Sequence, residues 1–402
     1  MAERHIISPQ LDSGAAILAT QYCDRGPLPH LQMHVSIAGE TVLEYVHGSA
    51  RKDGPALRSD AIYRVASMTK PVVVAAFMTL VEEGTARLDM PLTEIFPAFS
   101  EMQLWSGVHD ASAGLQSTLC ETPITLYDLL RHTAGLGYSF NAATPMDSLY
   151  AERYLDSFHQ RRHAQDYAAA LAELPLAYEP GTHFAYSVAI DLLGAVIEQL
   201  SGVGLDQFLA QRIFDPLGME DSFFVIPPEK EHRLADAWMW DGKGSPQLYD
   251  RGAQSRWRMN QKFYSAGGGL LSTVKDYQRF LSMLMAGGTL EAVRILQPES
   301  IALMMRNHLP GGGDLEEEGS AKISETPSPG IGMGLGGAIV IDPERAQTPA
   351  SRGTYFWGGL LSTGFFMDPQ RHIIGLVMTQ LMPSGATNLR EDFRRIVYEA
   401  LA

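Results

Sequence analysis

The order of elements along this chain predicts an α+β fold, with a sheet drawn from both ends of the sequence and a helical region inserted between them. Three observations carry that expectation: strand-like runs near the start, helical spacing through the middle, and strand-like runs again late in the chain. Residues 12–23 read as an opening helix, and 31–37 and 41–47 as two strands joined at Ala38-Gly39-Glu40, a hairpin signal. A helix then starts near Ser67, and helical spacing recurs at 126–131, 168–174 and 189–200. Strands are expected at 338–341, 354–357, 365–367 and 373–380. In 388–401, Phe393, Ile396, Val397 and Leu401 share one helical face, which should close the chain by packing on the sheet. The division expected is one discontinuous α/β lobe, 1–65 with 265–402, and a mostly helical lobe, 66–264. Two stretches read as loops: 310–330, acidic at 314–318 and expected to be exposed, and 101–122, expected to be an irregular excursion.

Composition bounds the function. With 402 residues, 45% hydrophobic and 19% charged, the chain can bury a core large enough for two lobes. A formal net charge of -15 argues against nucleic acid or an anionic membrane as partner, since both reward clustered lysine and arginine. Arg161-Arg162-His163 is too short a basic cluster to change that. Cys23 and Cys120 lie far apart with no second thiol or histidine at metal-ligand spacing, so neither a metal nor another cofactor is expected, and a reducing compartment fits. The N-terminus carries charges and Pro9 where a secretory apolar region would lie, and no apolar run approaches bilayer length. The cytoplasm is the expected compartment.

Ser67-Met68-Thr69-Lys70 carries the chemistry. On a helix, positions i and i+3 are neighbours, so a serine hydroxyl and a lysine amine fall within hydrogen-bond reach. The sequence holds two further Ser-x-x-Lys matches, Ser49 to Lys52 and Ser272 to Lys275. The first lies in a charged turn ending Asp53-Gly54-Pro55, which leaves Lys52 solvated. The second opens a helix whose buried stripe is Val274, Tyr277, Phe280, Leu281 and Leu284, with Lys275 on the wet face and Thr273 and Asp276 shaped as a capping pair. Only Lys70 precedes a stretch with no charged residue, from Pro71 through Val81, which marks a core helix. Burial favours the neutral amine, so Lys70 is expected to serve as a base toward Ser67.

Ser67-Met68-Thr69-Lys70 resembles the first motif of the serine β-lactamase and penicillin-binding-protein superfamily. Glu179-Pro180-Gly181-Thr182-His183-Phe184-Ala185-Tyr186-Ser187-Val188 resembles the second, in which a tyrosine points at the serine, and Trp357-Gly358-Gly359 is similar to the third, on the strand lining the cleft. Residues 125–136 and 265–270 also resemble family landmarks. Tyr138-Ser139 and Tyr264-Ser265 offer the same dipeptide, but only Tyr186 follows a Pro-Gly turn and precedes a long apolar-periodic helix. In class C β-lactamases and their transpeptidase relatives the motifs read Tyr-x-Asn and Lys-Thr-Gly; here Val188 and Trp357 replace the asparagine and the lysine. Tyr-Ser-Val with Trp-Gly-Gly resembles instead the family VIII carboxylesterases and their acyltransferase relatives.

That resemblance implies an antiparallel sheet flanked by helices, a mostly helical second lobe, and an active site in the cleft between them. It implies Ser67, Lys70 and Tyr186 as catalytic residues, with the backbone N–H groups of Ser67 and Leu360 as the oxyanion hole. Trp357 would wall the substrate site, while Gly358 and Gly359 let substrate approach the strand. The implied activity is serine carboxylesterase on a small-molecule ester. An acyltransferase, an amide hydrolase of β-lactamase or D-aminopeptidase type, and a ligand-binding paralogue without turnover are the alternatives. Other motifs carry less. Gly332-Met333-Gly334-Leu335-Gly336-Gly337 satisfies G-x-G-x-x-G but follows Pro327-Ser328-Pro329 rather than a strand, His132 reads as a structural histidine at a helix end, and no G-x-S-x-G occurs.

Overall fold

In a computed structural model that describes residues 4–110, 114–318 and 329–401, both ends of the chain enter one seven-stranded sheet. Its strands are β1 (His30–Ile37), β2 (Glu40–Gly48), β3 (Ile331–Met333), β4 (Ala338–Val340), β5 (Tyr355–Gly358), β6 (Gly364–Asp368) and β7 (Ile373–Met378). They lie in the order β3-β4-β5-β6-β7-β1-β2, and every neighbouring pair is antiparallel. The N-terminal hairpin turns at Ala38 and Gly39, whose φ values of 49° and 82° are what a two-residue hairpin loop of this hand requires.

Five helices frame the sheet and the site: α1 (Arg4–Ala19), α2 (Thr69–Glu82), α3 (Ala189–Ser201), α4 (Val274–Met285) and α5 (Leu389–Glu399). Successive strand residues point to opposite faces, and β6 shows what covers each. Phe365 meets Tyr277 of α4, with ring centroids 5.6 Å apart, while Phe366 meets Phe393 of α5 at 5.8 Å. Alongside α5 runs α1, where a side chain at Gly14 would sit 3.2 Å from Ile396. With both faces covered, β7 is buried along its whole length. Helix α2 is buried from Thr69 through Leu80, as expected of a helix apolar on every side, and packs against α3.

Two expected loops need correction. Within 101–122 the described residues are not irregular: Gln103–Asp110 and Gly114–Leu119 pair antiparallel, with a register shift between Trp105 and His109. Most of the described residues here are exposed, so no alternation of apolar residues announces the pairing. The acidic stretch 314–318 is not wholly exposed either. Asp314 is buried and accepts from the backbone N–H groups of Glu316, Glu317 and Gly330, with Arg345 at 2.9 Å, which holds its carboxyl below the usual range despite burial. Residues 319–328 of the expected loop fall outside the described ones.

The glycine-rich G-x-G-x-x-G run forms the β3–β4 hairpin, with no helix after it. Among the described residues no helix is long and apolar enough to cross a membrane, and no cluster of histidine, cysteine or carboxylate side chains is arranged to hold a metal.

Candidate active site

Ser67 stands in a single 3-10 turn, Ala66–Met68, that feeds directly into α2. Ala66, just before it, is buried with a φ of 46°, a left-handed conformation that non-glycine residues adopt only at a cost, commonly at functional turns. Neighbouring chain holds that turn from several sides. Thr69 Oγ1 donates to Ala66 O at 2.6 Å and accepts from Leu270 N–H at 3.1 Å, and Tyr277 OH donates to Met68 O at 2.8 Å. The i, i+3 spacing therefore survives although the serine precedes the α-helix proper.

Lys70 is 1% exposed, and its Nζ lies 3.3 Å from Ser67 Oγ, 3.3 Å from Tyr138 OH and 2.7 Å from Gly267 O. Three oxygens thus surround the Lys70 nitrogen, and one of them is Ser67 Oγ. Asp191 organises the far side. Its Oδ1 accepts from Ser265 Oγ at 2.6 Å and from Gly267 N–H at 3.0 Å, and its Oδ2 from Tyr138 OH at 3.4 Å. Burial pushes the Asp191 carboxyl up, against the pull of Lys70 and those hydrogen bonds, and burial beside Asp191 holds the Tyr138 hydroxyl far above its ordinary range.

The second motif arrives from a loop braced by 131–137. Gly181, with a φ of 83°, donates to Thr133 O at 2.8 Å, Ala185 donates to His132 O at 2.9 Å, and Val188 donates to Gly137 O at 3.2 Å. Tyr186 OH then reaches Ser67 Oγ at 2.9 Å. The Tyr186 ring packs against His132, Tyr138 and Trp357 at 4.9, 5.3 and 5.5 Å between centroids. His132 is buried and held neutral by burial and by Lys70, and its Nδ1 accepts from Ser187 N–H at 3.2 Å, a structural post directly behind the tyrosine.

Strand β5 carries the third motif to the same place. Trp357 pairs with Phe365 and Gly358 with Gly364 across β5 and β6. Gly359 N–H donates to Thr363 O at 2.8 Å, and Leu360 follows at the cavity wall, 38% exposed. Among the described residues nothing accepts from the N–H of Ser67 or of Leu360, which leaves both donors free for a ligand oxygen. Gly358 and Gly359 line the cavity, and at both the position a Cβ would take is already occupied. A Cβ on Gly358 would lie 2.2 Å from Arg390 Cζ, and one on Gly359 would lie 2.3 Å from Val65 O. Protein fills both spaces.

Ser67, Tyr186, Trp357, Gly358, Gly359 and Leu360 all line one cavity of about 570 Å³, an ordinary size for a small-molecule site. Its roof comes from 136–158, including Phe140, an exposed phenyl stacked on Tyr138 at 4.7 Å. Tyr138, Asp191, Ser265, Gly267 and Arg390 belong to this site although sequence reasoning assigned them no role. Tyr138 and Ser265 sit in the two dipeptides dismissed as copies of Tyr186-Ser187. The signal for Asp191 is a lone carboxylate in the first turn of a helix that is otherwise uncharged through Ile197. The other two Ser-x-x-Lys segments lie elsewhere: Ser49 is in an edge bridge with Ala56, and Thr273 caps α4 by accepting from Asp276 N–H at 3.2 Å. The Asp276 carboxylate turns away, to Asp221 N–H and Ser222, so the expected reciprocal cap is only half made.

Comparison with known proteins bears on this geometry. Protein Rv1367c of Mycobacterium tuberculosis (strain ATCC 25618 / H37Rv) is 33% identical over 342 residues, covering 82% of this chain and 80% of its own. Esterase EstB of Burkholderia gladioli is 31% identical over 363 residues, covering 86% and 84%. The solved structure of EstCE1, described as a hydrolase with promiscuous acyltransferase activity, superposes with a TM-score of 0.81 at 26% identity, covering 97% of this chain and 99% of that one. The fold is thus the β-lactamase/transpeptidase-like one expected from the motifs. A family model described as Beta-lactamase matches residues 17–399, nearly the full sequence, and the chain belongs to that family, within the serine β-lactamase and penicillin-binding-protein superfamily.

Proposed function

We propose that the chain is a serine carboxylesterase of the family VIII type, hydrolysing carboxylic esters through an acyl-enzyme on Ser67. One observation carries the proposal: Ser67 Oγ lies 3.3 Å from Lys70 Nζ and 2.9 Å from Tyr186 OH in a cavity whose charged groups are already engaged by protein. Asp147 accepts from Ala143 and Thr144 N–H, Asp156 from Ser139 N–H, Asp191 from Ser265 and Gly267, and Arg390 donates to Gly359 O. With Trp357 in the place of the third-motif lysine, that wall favours an uncharged, apolar acyl or alkoxy group. The site is taken as the cleft between a lobe of 1–65 with 265–402 and a lobe of 66–264.

In this scheme Ser67 Oγ attacks the ester carbonyl carbon as its proton passes to Lys70 Nζ, acting as the free amine, or to the Tyr186 oxygen, acting as the phenolate. The oxyanion so formed faces the N–H groups of Ser67 and Leu360, each worth about 3–4 kcal/mol of barrier in comparable sites. The ester C–O bond breaks, the leaving alkoxide takes the proton, and the alcohol departs. Water then attacks the acyl-enzyme by the same route, releasing the acid and restoring Ser67. The partner assigned is a small-molecule ester in the cytoplasm, with no nucleic acid or membrane surface, in keeping with the net charge of -15.

A second reading has support in the description of EstCE1 and in a cavity with room for an acceptor: an acyltransferase that passes the acyl group to an alcohol or amine. Turnover of p-nitrophenyl esters with and without added alcohol or amine separates the two, since a transferase yields the new ester or amide in excess of free acid. Labelling by a fluorophosphonate tests the shared core. The intact protein should be labelled and Ser67→Ala should not, whereas an unlabelled intact protein would end both readings. Rapid turnover of a chromogenic cephalosporin with no ester turnover would reassign the enzyme as a β-lactamase.

A further inference from the structure

Arg390, the second residue of α5, occupies a slot that the sequence has cleared for it. Gly358 and Gly364 face each other across β5 and β6. A Cβ on Gly358 would lie 2.2 Å from Arg390 Cζ and 2.4 Å from Nη1, and one on Gly364 would lie 3.0 Å from Cδ and 3.1 Å from Nε. A side chain at Gly358 would displace the guanidinium, and one at Gly364 would crowd its stem. A cation in the first turn of a helix is also unfavourable toward the helix dipole, so the position needs another justification.

The guanidinium has one at the end of the slot. Arg390 Nη2 donates to Gly359 O at 2.5 Å, and the same carbonyl accepts from Ser362 N–H at 3.0 Å, closing the turn after β5. Both lone pairs of Gly359 O are thereby used. The peptide that carries this carbonyl also carries the Leu360 N–H, and in a planar trans peptide the two point in opposite directions. Fixing the oxygen on one side fixes the N–H on the other, toward the cavity that Ser67 and Leu360 line. A charged donor on the oxygen also polarises the amide and strengthens its N–H as a donor.

We infer that Arg390 is a positioning residue for ester cleavage: it locks and polarises the Gly359–Leu360 peptide so that the Leu360 N–H is aimed at the oxyanion, and Gly358 is glycine to let it do so. This rests on the acyl-enzyme reading above. The rival role for the same cation is direct capture of a carboxylate on the substrate.

Steady-state kinetics with p-nitrophenyl butyrate and an anionic half-ester, and inhibition by an alkyl boronic acid that forms a tetrahedral serine adduct, test it on Arg390→Ala, Arg390→Lys and Gly358→Ala. Arg390→Ala should lower kcat for the neutral ester about 10- to 100-fold with KM changed less than threefold, and weaken the boronic acid by a similar factor. Arg390→Lys should recover part of both. Gly358→Ala should lower kcat in the wild-type background and add nothing in the Arg390→Ala background, because the clash is gone. Circular dichroism and melting temperature check folding; if Arg390→Ala does not fold, the same cycle run on Arg390→Lys carries the test. Neutral-ester kcat within twofold of wild type overturns the inference, as does a loss confined to KM for the anionic ester or a Gly358→Ala effect that is equal in both backgrounds. Mass spectrometry of the wild type keeps the two proposals apart. A Ser67 acyl adduct alongside unaffected variants removes only the role of Arg390, and no adduct removes both.

Discussion

Gly359→Ala is the substitution whose effect the structure specifies most closely. The added Cβ would lie 2.3 Å from Val65 O, 2.4 Å from Thr363 Oγ1 and 3.1 Å from the Ala66 Cβ. The threonine can rotate, but Val65 O and Ala66 belong to the backbone of the nucleophile turn. Restoring an ordinary contact of about 3.4 Å requires the end of β5 and the Ser67 turn to separate by about 1 Å. These two segments carry the two proposed oxyanion donors, so the separation opens the hole itself. A displacement of about 1 Å costs about 100-fold in rate, close to the loss of one donor. The overpacking itself should destabilise the fold by about 1–3 kcal/mol, leaving it folded at room temperature. The assay is kcat/KM for p-nitrophenyl butyrate together with a thermal melt. A folded Gly359→Ala enzyme with kcat/KM within threefold of wild type would mean that the two donors are not set by this contact.

Tyr186→Phe keeps the buried ring and its aromatic neighbours while removing the hydroxyl 2.9 Å from Ser67 Oγ; kcat should fall about 100- to 10,000-fold with little change in melting temperature, and a fall of less than tenfold would dismiss Tyr186 as a proton carrier. Asp191→Asn replaces an acceptor for Ser265, Gly267 and Tyr138 with a group that must donate at one of those positions, so activity should drop more than tenfold and stability by about 1–3 kcal/mol, read by kinetics and urea unfolding. Stability should also fall in mild acid. Burial lowers the His30 pKa from 6.5 to about 4, so between those values the unfolded chain binds the extra proton and the folded one does not. That contribution is complete above pH 6.5 and shrinks as pH falls toward 4, by about 3 kcal/mol in all. Melting temperature measured from pH 7.5 to 4.5 should stay level and then decline below 6.5; a rise over that lower range would contradict it.

Much of the scaffold is legible in the sequence because burial on this scale leaves periodic signals. Helix α2 shows itself through the uncharged run from Pro71 to Val81, and α5 through Phe393, Ile396 and Val397 on one face. The strand pair within 103–119 is not legible, because a mostly exposed pair leaves no alternation to read. In the site, Ser67 and Lys70 are legible because their contact is local, i to i+3. Tyr186 is legible through its Pro-Gly turn and the helix behind it. Tyr138 is not, because nothing in Tyr138-Ser139 reveals that its hydroxyl ends 3.3 Å from Lys70, 68 positions earlier. Arg390 is hidden for the same reason: it reaches Gly359 through a slot made by two strands, and only the folded sheet brings those glycines together.

Every step of the proposed turnover passes through acylation of Ser67. Peptide mass spectrometry after brief incubation with a panel of p-nitrophenyl esters tests it directly, with the acid-quenched enzyme digested and the acyl mass located. The predicted result is one acyl group, carried on the peptide that contains Ser67, lost over time in buffer and absent from Ser67→Ala. An acyl group on another residue, or ester turnover that persists in Ser67→Ala, would contradict it.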